Sequence, residues 1–265
     1  MSLFQAAILG IVQGFTEFLP ISSSGHLVLF QKFFGFTNPK EVLAFDVALH
    51  LGTLLSVVAI YWKDLGRMVL GVFGKDRTGR RLVLLLVVAT LPAVAVGLLF
   101  KGTIERLFAA SSTLPFEFLF TGFVLWGTRY LARYEKGTPP KGEGEVSSRD
   151  AFWVGWAQAL AIIPAVSRSG MTVAAALFLR FDQRFAARFS FLMAIPAILG
   201  AGLLEAREMA HFDSSLILPV VVGSLVSAVS GFLAIRWLIG VISRGRLHFF
   251  AYYCWAVGIF SFFFL

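Results

Sequence analysis

Cysteine is all but missing from this chain. Cys254 stands alone among 265 residues, so no intrachain disulfide can form, and its apolar surroundings suggest a lipid- or core-facing thiol. Charge is scarce too: Asp, Glu, Lys and Arg make up 14% of residues, where a soluble domain carries about 25%. A soluble globular fold is thereby disfavoured. The opening residues Met1-Ser2-Leu3-Phe4 lack a basic region, and no small-residue cleavage site follows the first apolar run, so no removed signal peptide is expected. Acidic groups are outnumbered, giving a net charge of +8. The basic residues sit in loops between apolar runs, a pattern that orients a chain in a bilayer rather than one that grips nucleic acid.

What is abundant is grease. Hydrophobic residues reach 58%, with 29 Phe, and mean hydropathy is +0.81. A transmembrane helix needs about 20 apolar residues. Six full spans are expected, at 42–62, 82–100, 115–134, 186–204, 215–238 and 248–265. Two more apolar segments, 3–35 and 152–180, are each broken by a polar motif and read as re-entrant helix–loop–helix elements. If loop 63–81 is cytoplasmic, so are 129–149, 180–188 and 236–246, and these four hold 17 of the 23 Lys and Arg residues. The opposite face holds Lys32, Lys40, Lys101, Arg106 and Arg207, and both termini lie on that face. Arg168 is left inside the membrane.

The expected fold is therefore an all-α integral membrane protein of six transmembrane helices and two re-entrant segments. Residues 1–136 form a first repeat, 137–148 a cytoplasmic linker and 149–265 a second repeat. Three spans per half is an odd number, so the halves are inverted relative to each other. Such inverted-topology repeats bring their broken helices together near the midplane, where binding sites form.

The two broken segments match each other. Gln13 and Gln158 each lie twelve residues before a Gly, Gly25 and Gly170, and the offset between the motifs is 145 residues. Ser22-Ser23-Ser24-Gly25 opens one half-helix and Ser167-Arg168-Ser169-Gly170 the other. A helix N-terminus offers free N–H donors and about half a positive charge. Serine hydroxyls add donors, although plain N-capping would also explain them. Arg168 adds a planar fork suited to phosphate, and burying a cation merely to cap a helix is costly. Together they suggest a site for a multiply charged anion, with Thr172 a further hydrogen-bonding group. Glu17 shares a helix face with Gln13. An acid beside an anion site suggests a bridging divalent cation, a general base, or a structural pair with Arg168. His26 is placed to donate or accept a proton. Asp46 and His50, four apart on one span, read as a helix-packing pair or a proton relay.

These residues resemble the bacterial undecaprenyl-diphosphatase, or bacitracin-resistance, family over essentially the whole chain. The acidic motif runs from Gln13-Gly14-Phe15-Thr16-Glu17-Phe18-Leu19-Pro20 to Ser22-Ser23-Ser24-Gly25-His26. The second signature is Pro164-Ala165-Val166-Ser167-Arg168-Ser169-Gly170-Met171-Thr172. Two positions depart from the pattern: Gln13 leaves one carboxylate where two can occur, and Ala165 replaces the usual Gly. The resemblance implies hydrolysis of undecaprenyl diphosphate to undecaprenyl phosphate and inorganic phosphate, at an outward-facing site in the bacterial plasma membrane. It implies a divalent cation, Mg2+ or Ca2+, with Glu17 as ligand or base, and bacitracin resistance on overproduction. Ser23 or water would be the nucleophile and His26 the acid/base. Arg168, Ser167, Ser169 and Thr172 would clamp phosphate, with Gln13, Ser22, Ser24, Gly25 and Gly170 also contacting substrate. Expected partners are the lipid diphosphate and the membrane, with no nucleic acid; a homodimer is left open.

Phosphatidic-acid-phosphatase-type enzymes share Ser-Gly-His and Ser-Arg elements, but theirs lead to a nucleophilic histidine. Here the run from Ser169 to Leu179 contains none. The main rival is a secondary transporter or lipid flippase, which uses the same inverted architecture. A purely structural membrane protein fits poorly with polar motifs at membrane depth.

Overall fold

In the computed structural model the described residues are 1–36, 39–109, 111–131, 139–209 and 216–264. The side chains of Lys40 and Arg207, residues 132–134 of the third expected span, and positions 137–138 of the expected linker lie outside this description. Among the described residues there is no β-strand, only an isolated bridge between Lys141 and Phe181.

The helices run α1 (Leu3–Phe18), α2 (Ser23–Phe33), α3 (Pro39–Val72), α4 (Arg77–Leu99), α5 (Lys101–Ala109) and α6 (Leu114–Gly127). Then follow α7 (Ser148–Leu160), α8 (Arg168–Phe178), α9 (Gln183–Met209), α10 (Ile217–Ile242) and α11 (Phe249–Phe264). Among the described residues, four stretches are long and apolar enough to cross a membrane: Val42–Val72, Arg77–Leu99, Gln183–Leu204 and Ile217–Ile242. They contain the expected spans 42–62 and 186–204 and nearly all of 82–100 and 215–238. The first outruns its expected end, because α3 only kinks at Tyr61 (φ −107°, ψ 21°) and continues. The regions 115–134 and 248–265 hold the shorter α6 and α11, of 14 and 16 residues.

Both polar motifs interrupt helix. Pro20 forces the preceding Leu19 into an extended conformation (ψ 143°), and α1 stops there. The Ser22 hydroxyl then accepts from Gly25 N and caps α2. Ser167 does the same for α8 through Gly170 N.

The halves interleave. α1 packs on α10, α7 on α4, α3 on α9 and α10, and α6 on α11. Small residues make the closest of these contacts. A Cβ on Gly10 would fall 2.5 Å from the Gly223 carbonyl oxygen, and one on Gly155 would fall 2.3 Å from that of Ala89. Without a hydrophobic drive inside lipid, such close backbone approach supplies the packing energy. The segment after Pro139 is tied down rather than loose. Arg81 Nη2 donates to the Val146 carbonyl at 3.0 Å, and Lys141 Nζ to Asp150 at 2.8 Å. Arg188 bonds Glu143 at 2.5 Å and Asp64 at 3.2 Å.

Candidate active site

The two broken segments meet. Ser24 Oγ accepts from Ala165 N at 3.3 Å, and Ser169 Oγ donates to the Leu19 carbonyl at 3.1 Å. Cβ atoms at Gly170 and Pro20 would lie 3.2 Å apart. At this seam the Arg168 guanidinium pairs through Nη2 with Glu17 Oε1. The other carboxylate oxygen, Oε2, accepts from Ser23 Oγ at 2.7 Å and from Gln13 Nε2 at 3.0 Å. The structure thus brings Gln13, Glu17, Ser23 and Arg168 into one centre. Gln13 is fully buried and Glu17 nearly so. The sum of charge is one carboxylate against one guanidinium.

Two polar atoms of this centre, Arg168 Nη1 and Gln13 Oε1, are buried with no partner, and so are both amide atoms of Gln158 on α7. Buried polar groups are nearly always satisfied, so each such atom calls for an explanation. Arg168 Nη1 is the donor an anion would take.

Other expected site residues sit differently. Ser22 and Ser167 spend their hydroxyls on the caps. Gly25 packs beneath Phe118, whose Cζ would lie 2.5 Å from a Cβ there; the glycine makes room for a ring of α6. Thr172 is fully buried, and its hydroxyl meets Ser190 Oγ at 2.6 Å and the Arg168 carbonyl at 2.8 Å. That fastens the first turn of α8 to α9. His26 lies in its own niche, stacked on Tyr253 (5.6 Å between centroids) and edge-on to Phe118 (5.3 Å). Its Nδ1 is 2.6 Å from the Ser22 carbonyl and its Nε2 2.8 Å from the Tyr253 hydroxyl. A carbonyl only accepts, so Nδ1 carries the hydrogen and Nε2 accepts from Tyr253.

Tyr253 escaped the sequence, and His50 was legible there only as a partner of Asp46. Tyr253 sits in an ordinary aromatic stretch of α11. His50 reaches Glu17, with Nε2 3.4 Å from Oε2. Nor do Asp46 and His50 pair through their side chains: the Asp46 carboxylate accepts from Gln31 Nε2 at 2.6 Å, and His50 uses the Asp46 backbone carbonyl. Cys254 is fully buried and donates to the Pro20 carbonyl at 3.5 Å.

A divalent cation is expected here, and the residues fit one. Mg2+ is usually held by one or two carboxylates plus substrate phosphate. Glu17 supplies the carboxylate and Gln13 an amide oxygen with no donor. Among the described residues no group of three His, Cys, Asp or Glu side chains could hold a metal, so a phosphate would have to complete the shell. An apolar groove lined by Ile11, Phe15, Leu225, Val229 and Leu233 opens between α1 and α10. Helical spacing places Ile11 and Phe15 on the side of α1 away from Gln13 and Glu17, so this groove is not the head-group site.

Fold and centre together define an all-helical membrane protein with a buried carboxylate between a half-buried hydroxyl and guanidinium at the junction of two broken helices. The chain belongs to the bacitracin resistance protein BacA family, whose model matches residues 6–260. It is 42% identical over 263 residues to an undecaprenyl-diphosphatase of Carboxydothermus hydrogenoformans, covering 98% of this chain and 96% of that one. It is 44% identical over 272 residues to one from Desulfosudis oleivorans, covering 97% of each. Undecaprenyl-diphosphatase 4 of Bacillus thuringiensis subsp. konkukian is 43% identical over 261 residues, covering 98% of this chain and 96% of its own.

Proposed function

We propose that this chain hydrolyses undecaprenyl diphosphate to undecaprenyl phosphate and inorganic phosphate, recycling the lipid carrier of envelope polymers. The observation that carries the reading is the Ser23–Glu17–Arg168 chain across the seam, with Arg168 Nη1 buried and unpartnered. Substrate phosphate takes that N–H and the free N–H groups at the starts of α2 and α8. Phosphoryl transfer needs mainly positioning and neutralisation of charge, which these groups supply. A bound divalent cation, held by Glu17 and Gln13, would add further neutralisation.

Ser23 is the nucleophile in this reading. Its hydroxyl already donates to Glu17, the geometry of a base-activated nucleophile. The serine proton passes to Glu17 as Oγ bonds to the terminal phosphorus. The bridging P–O bond breaks and undecaprenyl phosphate leaves. Glu17 hands that proton to the departing undecaprenyl phosphate. Water then attacks the phosphoserine and gives a proton to Glu17, and the P–Oγ bond breaks as Glu17 returns the proton to the serine oxygen and phosphate leaves. His26, with the Tyr253 hydroxyl as its partner, serves the leaving oxygen as acid/base.

The inverted repeat belongs to the same proposal: six spans, two re-entrant segments, and units 1–136 and 149–265 joined by 137–148. Exchanging the halves turns the α1–α10 pair into the α7–α4 pair and leaves α3–α9 and α6–α11 unchanged, which supports it. α2 and α8, with 11 residues each, are about 16 Å long, half the hydrocarbon thickness of about 30 Å. In this topology the site opens to the outer face of the plasma membrane.

Phosphate release from undecaprenyl diphosphate by purified protein tests the activity. Arg168→Lys keeps the charge that balances Glu17 but loses the fork. Turnover should fall at least about tenfold, as expected for losing a charge-assisted bond worth about 1.5–3 kcal/mol, with the unfolding midpoint retained. Lipid transport by wild-type protein without phosphate release would instead favour a flippase.

A further inference from the structure

His50 belongs to neither signature motif, yet it approaches the Glu17 carboxylate from α3. Its Nδ1 lies 2.7 Å from the Asp46 carbonyl oxygen. A carbonyl oxygen only accepts, so Nδ1 carries the ring hydrogen, and in the neutral ring Nε2 is a bare lone pair. That lone pair faces Glu17 Oε2 at 3.4 Å, and an ionised carboxylate also only accepts. Two acceptors turned on each other call for a proton or a metal ion between them, and 3.4 Å is long for the hydrogen bond a proton would make. A separation of 3.4 Å suits two ligands that each sit about 2.0–2.2 Å from one ion.

A second observation points the same way. The Gln13 amide touches the same carboxylate oxygen, while its own Oε1 is fully buried without a donor. A half-turn of that amide exchanges nitrogen for oxygen at the carboxylate, and the two orientations are nearly isosteric. Gln13 can thus offer an oxygen to an ion at Oε2. Arg168 does not compete for the position, because it occupies Oε1. His50 is also the open side of the centre: its side chain is 27% exposed against 6% for Glu17, which gives an ion a way in.

We propose that His50 Nε2 is a nitrogen ligand of the divalent cation at Glu17, with Gln13 Oε1 as the other neutral protein ligand. The inference rests on the cation requirement in the reading above. It adds a selectivity: one imidazole among oxygens favours first-row transition ions such as Mn2+ or Co2+ over Ca2+, which takes oxygen ligands.

The test uses chelator-stripped full-length protein in detergent, titrated with Mn2+. Free Mn2+ is followed by its electron paramagnetic resonance signal, and the bound ion is examined by pulsed methods for imidazole 14N modulation. Wild type should bind Mn2+ with nitrogen modulation and bind Ca2+ more weakly. His50→Gln should lose the modulation and bind Mn2+ at least about tenfold more weakly, the lower end of the penalty for losing even an outer-shell partner. An unfolding midpoint that Mn2+ raises in wild type, and raises less in folded His50→Gln, would agree. Bound Mn2+ without nitrogen modulation in wild type, or modulation that survives His50→Gln, overturns the assignment of His50 and leaves the cation reading standing. Wild type that binds no Mn2+, Mg2+ or Ca2+ and turns over in chelator defeats the cation reading itself.

Discussion

Ala165 is held at φ 55°, in the left-handed region where a side chain costs about 1–2 kcal/mol. The family signature carries Gly at this position, and the backbone explains why. Yet the Ala165 methyl is fully buried, close to Gly25 and Phe118. Its burial returns about 0.8 kcal/mol, and glycine would add unfolded-state freedom worth about 0.4–1 kcal/mol. These opposing terms nearly cancel. Ala165→Gly should therefore shift unfolding free energy by less than about 1 kcal/mol and leave phosphate release intact. A loss of several kcal/mol in a denaturation experiment would show that methyl packing dominates this loop. Individual residues were legible in the sequence to unequal depth. Gln13 and Glu17 are four apart on one helix face, so helical geometry alone brings them together. Arg168 stood out because a lone cation in an apolar segment needs a partner. Tyr253 gave no such sign and His50 pointed only to Asp46, because only tertiary packing brings them to His26 and Glu17. The serines of the motifs were ambiguous for a physical reason, since a hydroxyl that caps a helix and one that binds phosphate need the same N-terminus. Ser22 and Ser167 cap, while Ser23 turns to Glu17.

At the scale of elements, the small residues of α1 and α7 do what polar motifs cannot. Ala6, Gly10 and Gly14 recur every four residues on α1, and Ala151, Gly155 and Ala159 do so on α7, displaced by the same 145 residues. This stripe was in the sequence but is easily read as ordinary apolar helix, because its meaning depends on the backbone that lies against it. A methyl at Gly155 would meet the Ala89 carbonyl and Cα at 2.3 and 3.0 Å, and backbone cannot step aside as a side chain can. Gly155→Ala should cost about 1–3 kcal/mol as overpacking, seen as a lower unfolding midpoint in detergent. An unchanged midpoint would mean that α4 and α7 slide freely. The start of α7 carries a separate device. Asp150 closes a capping box with Ser147 and also accepts from Lys141 at 2.8 Å. Burial works against its ionisation, but the Lys141 ammonium and the Ser147 N–H and O–H outweigh it, so the carboxyl stays below its usual range. A depressed folded-state pKa contributes stability that is complete above the ordinary carboxylate pKa and disappears as pH falls through the lower, folded value. Wild type should thus lose stability on acidification below about pH 4. Asp150→Asn should be less stable at neutral pH and show a shallower acid slope. Equal slopes in the two proteins would remove Asp150 from the account.

For the whole molecule, the partner exchange between halves ties the architecture to the chemistry. Neither half holds a complete centre: Gln13, Glu17 and Ser23 come from the first, Arg168 from the second, and the carboxylate of one half neutralises the cation of the other. A buried ion pair of this kind is poor evidence of stability, yet breaking it by removing one partner costs about 3–5 kcal/mol. Correct docking of the halves and a competent centre are therefore the same event. The proposed inverted arrangement makes a prediction about faces. The loop that directly follows the first broken segment should lie on one side of the membrane, and the segment before α7 on the other. Single cysteines at Phe36 and Gly102, in a Cys254→Ala background, should react with an impermeant thiol reagent in intact cells. Cysteines at Gly74, Gly144 and Gly245 should react only after the membrane is opened. The buried Cys254 thiol makes that background mild, since only a methyl-sized gap opens beside Pro20. Labelling of Gly102 and Gly144 from the same face would rule out the inversion, because α6 would then fail to cross. The centre would still join Glu17 to Arg168, but its two helix N-termini would no longer enter from opposite sides, and the proposed outward-facing site would lose its structural reason.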